Sequence, residues 1–305
     1  MAEIKPELAA YIAEKMRRSF VMTPITMREG SANMCREQMR PKAQVAAVID
    51  TVMAQCGEYD VPVRIYVPQL GKQLPVLIYY HGGGFVVDNV SLYDPICRRI
   101  ALATNHIVIS PEYRLAPENP YPAAERDALA VAKRALPTLT ALTIAHTNDV
   151  TVCGDSAGGY LAAMTALSLQ GDAAVPLTHQ ILIYPCLDMT SSFPSIQENC
   201  NAKTGFLPEK LVWYFGEYFP ATVNRKDVSP LYRQLTSSLV PALVITTEFC
   251  PFRDEGKAYV GALQAAGVQA EWYNYTNMVH SYLNFEKICY DEICDTYARM
   301  NAFLQ

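Results

Sequence analysis

The residues Gly154-Asp155-Ser156-Ala157-Gly158-Gly159 set a serine among small neighbours, directly after an apolar run at 150–153 and before a helical pattern at 160–168. On a sharp strand-to-helix turn the serine backbone is strained and its flanks crowded. Gly154 and Gly158 make the room that lets its hydroxyl project as a nucleophile. The helix that follows adds the positive end of its dipole, which favours negative charge developing on a substrate. The same short pattern also occurs in glycine-rich turns without chemistry. A second cluster, His81-Gly82-Gly83-Gly84-Phe85, ends the apolar run 74–80. Consecutive glycines let amide N–H groups point into a cavity, so Gly83, Gly84 and Ala157 are the candidate donors of an oxyanion hole for a tetrahedral intermediate. His81, abutting glycines at a strand end, reads as a structural residue rather than a base. His106, His146 and His179 lie at strand edges or in loops with no glycine or acid constellation, and read as satisfied or solvated side chains.

These groups need a scaffold. Apolar β-rich runs near 61–67, 74–80, 106–110, 150–153, 180–184, 242–247 and 269–275 alternate with helical spacing at 95–103, 123–136, 157–168 and 255–266. That alternation predicts an α/β fold with a mostly parallel central sheet flanked by helices. Gly267 stands where the last of these helices needs a left-handed cap. Two stretches break the rhythm. Residues 1–50 carry Leu8, Ile12, Met16 and Phe20 on one helical face, and residues 188–225 carry Leu211, Tyr214, Phe215, Tyr218 and Phe219. Both read as parts of a cap, the second as an insertion over the carboxyl edge of the sheet, with an ordinary packed helix as the other reading. The core then occupies 51–187 and 226–305.

With 305 residues, 50% of them hydrophobic and 18% charged, the chain has material for one large core. The net charge of -5 and the lack of any Lys or Arg run argue against nucleic acid or an anionic membrane as partner. A small, uncharged or weakly charged ligand is expected, and a homodimer is compatible with the composition. The nine cysteines form no CxxC pair and no metal-ligand spacing, so reduced thiols and no metal or cofactor are expected. The amino terminus lacks the pattern of a signal peptide, and no apolar stretch is long enough to span a bilayer. The expectation is a cytoplasmic protein.

Further motifs agree in order with the two glycine clusters: Asp94 with Cys97-Arg98, Tyr113-Arg114-Leu115-Ala116-Pro117-Glu118, Leu182-Ile183-Tyr184-Pro185, Pro251-Phe252-Arg253-Asp254-Glu255-Gly256 and Val279-His280. On this set the chain resembles the hormone-sensitive lipase family of esterases across nearly its whole length. The resemblance implies an α/β-hydrolase fold with a helical cap built from the amino terminus and an insertion, and Tyr113–Glu118 as scaffold. It implies hydrolysis of short- to medium-chain acyl esters through an acyl-enzyme at Ser156, with His280 as general base. The family ordinarily follows that histidine with glycine, where Ser281 stands here. Met16, Phe20, Trp213 and Tyr214 are expected to line an acyl or alcohol pocket, core packing being the alternative for each.

One departure bears on mechanism. The family places its catalytic aspartate immediately before the Pro251–Gly256 segment, where this chain has Cys250. An acid there holds the imidazole in the right tautomer and stabilises the imidazolium, which a neutral thiol does poorly. Three outcomes follow. A relocated acid has Glu248, two residues earlier on an extended segment, as its favoured candidate. Asp254, one helical turn later, and Asp188 are the others. In the second outcome Ser156 and His280 work as a dyad at reduced rate. In the third the chain is a ligand-binding or degenerate member of the fold.

Overall fold

A computed structural model describes residues 2–17, 21–54 and 59–305. Its centre is an eight-stranded sheet of β1 (Ala47–Ala54), β2 (Asp60–Val67), β3 (Leu74–Tyr80), β4 (Ile107–Pro111), β5 (His146–Asp155), β6 (Leu177–Ile183), β7 (Ala242–Phe249) and β8 (Ala270–Val279). The spatial order is β1-β2-β4-β3-β5-β6-β7-β8. The β1–β2 and β2–β4 pairs are antiparallel and every other pair is parallel. Strands covered on both faces need apolar residues at every position rather than at every second one. β4 is buried from end to end, as is all of β3 but one half-buried residue.

Helices α3 (Val90–Thr104), α4 (Ala123–Ala141), α5 (Ala157–Ser168), α8 (Arg253–Ala265) and α9 (Tyr290–Phe303) flank the sheet, α3 packing with α9 and α4 with α5. The sequence of α5, Ala-Gly-Gly-Tyr-Leu-Ala-Ala-Met-Thr-Ala-Leu-Ser, has no polar face, and its residues from Ala157 to Leu167 are all buried. Gly267 closes α8 with the expected positive φ of 82°.

The remaining helices come from the two expected cap stretches: α1 (Pro6–Lys15), α2 (Pro24–Gln38), α6 (Pro194–Asn199) and α7 (Pro208–Tyr218). All four begin with proline, whose fixed φ suits the first helical position and whose missing N–H has no intrahelical role there. The two stretches touch, since a Cβ on Gly205 would lie 3.2 Å from Ile12 Cγ2. Helix α7 buries Leu211, Tyr214, Phe215 and Tyr218, and the Tyr218 ring stacks on Phe85 at 3.9 Å.

Two elements differ from the sequence expectation. β1 is absent from it, and the strand begins at Ala47, so the expected boundary at residue 50 falls inside a strand. Helix α3 begins at Val90 rather than at Pro95, because Asn89 caps it by accepting from Leu92 N–H and Pro95 is carried inside the helix. Among the described residues no helix is long and apolar enough to cross a membrane, and no three His, Cys, Asp or Glu side chains are grouped to hold a metal.

The registers bring the candidate residues to one edge. Tyr80 pairs with Gly154, Asp155 with Ile183 and Phe249 with Val279, so the loops that leave β3, β5, β7 and β8 emerge side by side. In open parallel sheets the carboxyl ends of the strands are where ligands bind.

Candidate active site

Ser156 occupies the turn between β5 and α5 with φ 54° and ψ −117°, a conformation costly for a residue with a side chain. Its amide donates to Ile183 O at 2.9 Å, and its carbonyl accepts from Tyr160 N at 3.1 Å and Cys186 N at 3.3 Å. The glycines are needed for the approach of backbone to backbone. A Cβ on Gly158 would sit 1.9 Å from Tyr80 O, and one on Gly154 would sit 2.3 Å from Gly158 O. The hydroxyl so presented lies 2.9 Å from Nε2 of His280.

His280 follows the last residue of β8, buried and ringed edge-on by Tyr184, Phe206 and Phe252 at 4.9, 5.4 and 5.0 Å. Burial pushes the imidazole down to about 3, and the Lys210 cation adds to the effect. Ser281 takes φ 63°, the left-handed region that favours glycine, which explains why glycine is the residue expected there.

The other imidazole nitrogen, Nδ1, lies 3.1 Å from Cys250 Sγ. Cys250 is fully buried in the turn after β7, where its sulfur accepts from Phe252 N–H at 3.3 Å and its carbonyl accepts from Asn199 Nδ2 at 3.1 Å. Burial pushes the thiol well above its ordinary pKa, so the group beside the imidazole is neutral. Thr247, whose buried hydroxyl has no hydrogen-bond partner among the described residues, is close enough to interact with the sulfur.

Neither sequence-predicted substitute acid faces the imidazole, which corrects the preference for Glu248. Its carboxylate accepts from Arg253 Nη1 at 3.1 Å and Asn274 Nδ2 at 2.8 Å. Asp254 accepts from Arg253 Nε at 2.8 Å and Ser195 N at 3.0 Å. Arg253 takes up both acids and also binds Glu198 at 2.8 Å. Asp188 folds its own turn, accepting from the amides and hydroxyls of Thr190 and Ser192.

A residue the sequence reading passed over lies beneath the serine. Asp155 is buried and accepts from Tyr79 Oη at 2.9 Å and Gly82 N at 2.9 Å on one oxygen. Its other oxygen accepts from Tyr93 Oη at 3.0 Å and Tyr184 Oη at 3.2 Å. Burial pushes its carboxyl up to about 7, against the pull of these hydrogen bonds. One side chain thereby ties β3, the glycine loop, α3 and the end of β6 together under the serine turn. The signal was available, since a buried tyrosine hydroxyl requires a partner and Tyr79, Tyr93 and Tyr184 all lie in apolar stretches. Asp155→Ala leaves four buried donors unanswered. It is expected to lower unfolding stability by about 3–5 kcal/mol, read as a drop in urea midpoint at unchanged slope.

In the glycine loop, Gly83 (φ 107°) and Gly84 (φ 60°) adopt positive backbone angles that residues with side chains adopt only rarely. Among the described residues nothing accepts from the amides of Gly83, Gly84 or Ala157. His81 is fully buried, stacked on Tyr113 at 4.3 Å, with its carbonyl accepting from Tyr113 Oη at 2.7 Å. Burial pushes it down to about 4, in keeping with a structural role. Of the expected pocket residues, Tyr214 rests against the glycine loop, its Cδ1 only 2.4 Å from where a Cβ on Gly84 would be. Trp213 is half-buried and packs edge-on to Tyr214 at 5.1 Å, while Met16 is half-buried at the end of α1. Phe20 lies outside the described residues.

A family model for the alpha/beta hydrolase fold matches residues 77–284, and the chain belongs to that family. A carboxylesterase of Mycobacterium tuberculosis, NlhH, is 38% identical over 235 residues, 75% of this chain and 73% of its own. An ethyl acetate hydrolase of Pseudomonas putida is 31% identical over 93% of both chains. The solved esterase of Pyrobaculum calidifontis superposes with a TM-score of 0.86 at 32% identity, covering 98% of this chain and 97% of that one. With such relatives and this fold, the protein is a hydrolase.

Proposed function

We propose that the protein hydrolyses short- to medium-chain carboxylic esters through an acyl-enzyme on Ser156, with His280 as general base and a neutral Cys250 in the place of the acid. The observation that carries this reading is the line of contacts Ser156 Oγ to His280 Nε2 at 2.9 Å and His280 Nδ1 to Cys250 Sγ at 3.1 Å. The base takes the serine proton as the hydroxyl attacks the ester carbonyl, and returns it to the departing alkoxide. Water repeats the sequence on the acyl-enzyme. For Nε2 to accept that proton, Nδ1 must carry its own. The sulfur has a lone pair for Nδ1–H if its S–H turns to the unpartnered Thr247 hydroxyl, so the correct tautomer is available without a carboxylate. What the thiol lacks is the negative charge that would stabilise the imidazolium. The amides of Gly83, Gly84 and Ala157 are proposed as the oxyanion donors, supported by their lack of other acceptors. All eight described cysteines are free, in keeping with a cytoplasmic location.

The test is turnover of p-nitrophenyl esters from acetate to decanoate together with labelling by a p-nitrophenyl phosphonate. Turnover that falls with chain length and a single phosphonyl adduct on the Ser156 peptide are expected. Binding without turnover or adduct would favour the ligand-binding reading.

The pH profile follows from His280. The base must be neutral to act, and its pKa is held down to about 3, so the active form persists as pH falls through the ordinary histidine range. The expected kcat/KM for a neutral ester has no acid limb between pH 7 and pH 5. A tenfold fall over that range would mean the imidazole titrates normally.

A further inference from the structure

The cap supplies a cation for which the chemistry above has no use. Lys210 lies in the first turn of α7, where the helix dipole already disfavours positive charge. Its Nζ is 5.5 Å from the centre of the Phe206 ring and 5.9 Å from that of Tyr214. Phe206 packs edge-on against the His280 imidazole at 5.4 Å, and Tyr214 rests on Gly84 of the glycine loop. The ammonium is thus one aromatic ring away from the group proposed as base and one from the loop whose amides are proposed for the oxyanion, and its charge is felt at the imidazole.

Among the described residues no carboxylate is ion-paired with Lys210 and no acceptor hydrogen-bonds its Nζ. Asp88 acts on it through space, but that carboxylate is buried and takes the hydroxyl of Ser31 from α2. The lysine side chain is half-buried, and burial lowers its pKa. Its charge also opposes the imidazolium that His280 must become. A half-buried cation with two ring faces and a through-space carboxylate, but no direct ion pair or hydrogen bond among the described residues, is incompletely compensated, and it handicaps the base as well. Both penalties vanish if the substrate brings the counter-charge, because a carboxylate paired with Nζ removes the repulsion at His280 as it binds.

We infer that Lys210 determines specificity in this cleft, selecting esters that carry a free carboxylate near the scissile bond, on the acyl or the alcohol side. The inference rests on the esterase reading for what becomes of the ligand, but the recognition it describes can be measured without turnover. This departs from the sequence expectation of an uncharged or weakly charged ligand, since the carboxylate is a full anion near pH ~7.

Calorimetric titration of the Ser156→Ala protein tests it with two matched pairs. Monoethyl succinate against ethyl succinamate places the charge in the acyl part. O-acetylglycolate against O-acetylglycolamide places it in the alcohol part. In one pair at least the anion is expected to bind about tenfold tighter than its amide. That margin should disappear in Ser156→Ala/Lys210→Met and persist in Ser156→Ala/Lys210→Arg, which keeps the charge and controls for folding. Equal binding within both pairs, or a margin that survives Lys210→Met, overturns the inference. Turnover by the wild-type chain separates the two readings. Ser156-dependent hydrolysis of p-nitrophenyl acetate with no anion preference leaves the esterase and removes the lysine's role. A Lys210-dependent preference without any hydrolysis does the reverse.

Discussion

Cys250→Asp is expected to raise kcat on p-nitrophenyl esters by about 10²–10³-fold. A serine protease deprived of its triad aspartate loses about 10⁴ in kcat, and an ester with a good leaving group needs less help from the base, so the gain here should be smaller. The site is prepared for the change. Phe252 N–H already points at the sulfur, Thr247 offers an unpartnered hydroxyl beside it, and His280 Nδ1 lies 3.1 Å away, so a carboxylate would find three donors. The same substitution should raise the imidazole pKa, since an adjacent negative charge favours the protonated ring. The acid limb absent from the wild-type profile should then appear above pH 5, with the steady-state rate and its pH dependence changing together. An unchanged kcat with an unchanged profile would mean that the group at 250 does not govern His280.

Ser156→Ala is expected to lower kcat for ester turnover by about 10³–10⁴-fold, leaving only the small residue that oxyanion donors and binding supply. In a complete triad a single member's removal costs up to about 10⁶. The smaller figure reflects a wild-type enzyme that already lacks the acid. Alanine keeps the Cβ and the strained φ, so the elbow and its contacts with Ile183 and Cys186 should survive, and a retained melting temperature would assign the loss to chemistry. His280→Ala should cost about the same, and the double variant no more than either alone, because the two groups act as one unit. Turnover by Ser156→Ala close to the wild-type rate would place the nucleophile elsewhere, because only a small residual rate can come from the oxyanion donors and binding alone.

The parallel centre of the sheet was legible because strands buried on both faces must be written as unbroken apolar runs, as in Leu74-Pro-Val-Leu-Ile-Tyr-Tyr. β1 was not, since Val48 and Val52 face outward at the sheet edge and its pattern merged with the amino-terminal segment. The start of α3 was hidden by reading Pro95 as a boundary when Asn89 was the cap. Ser156 could be named because its elbow carries a local signature that strand geometry demands, and His280 because of the family resemblance and its place on a loop beyond a late strand. The acids could not be sorted in that way. Spacing favoured Glu248, but the direction of its carboxylate is decided by Arg253 and Asn274, which only the folded chain brings to it. Asp155 was in view in the motif, while its tyrosine partners come from β3, α3 and the end of β6, a convergence that no local pattern encodes.

The contact between Tyr214 and Gly84 couples two things usually treated apart. Tyr214 and Lys210 stand on one helix, so any displacement of α7 from the sheet would take the ring off the glycine loop and the cation off the Phe206 ring that packs on His280 together. On the proposed reading, α7 is then less a door in front of the reacting groups than one of their walls.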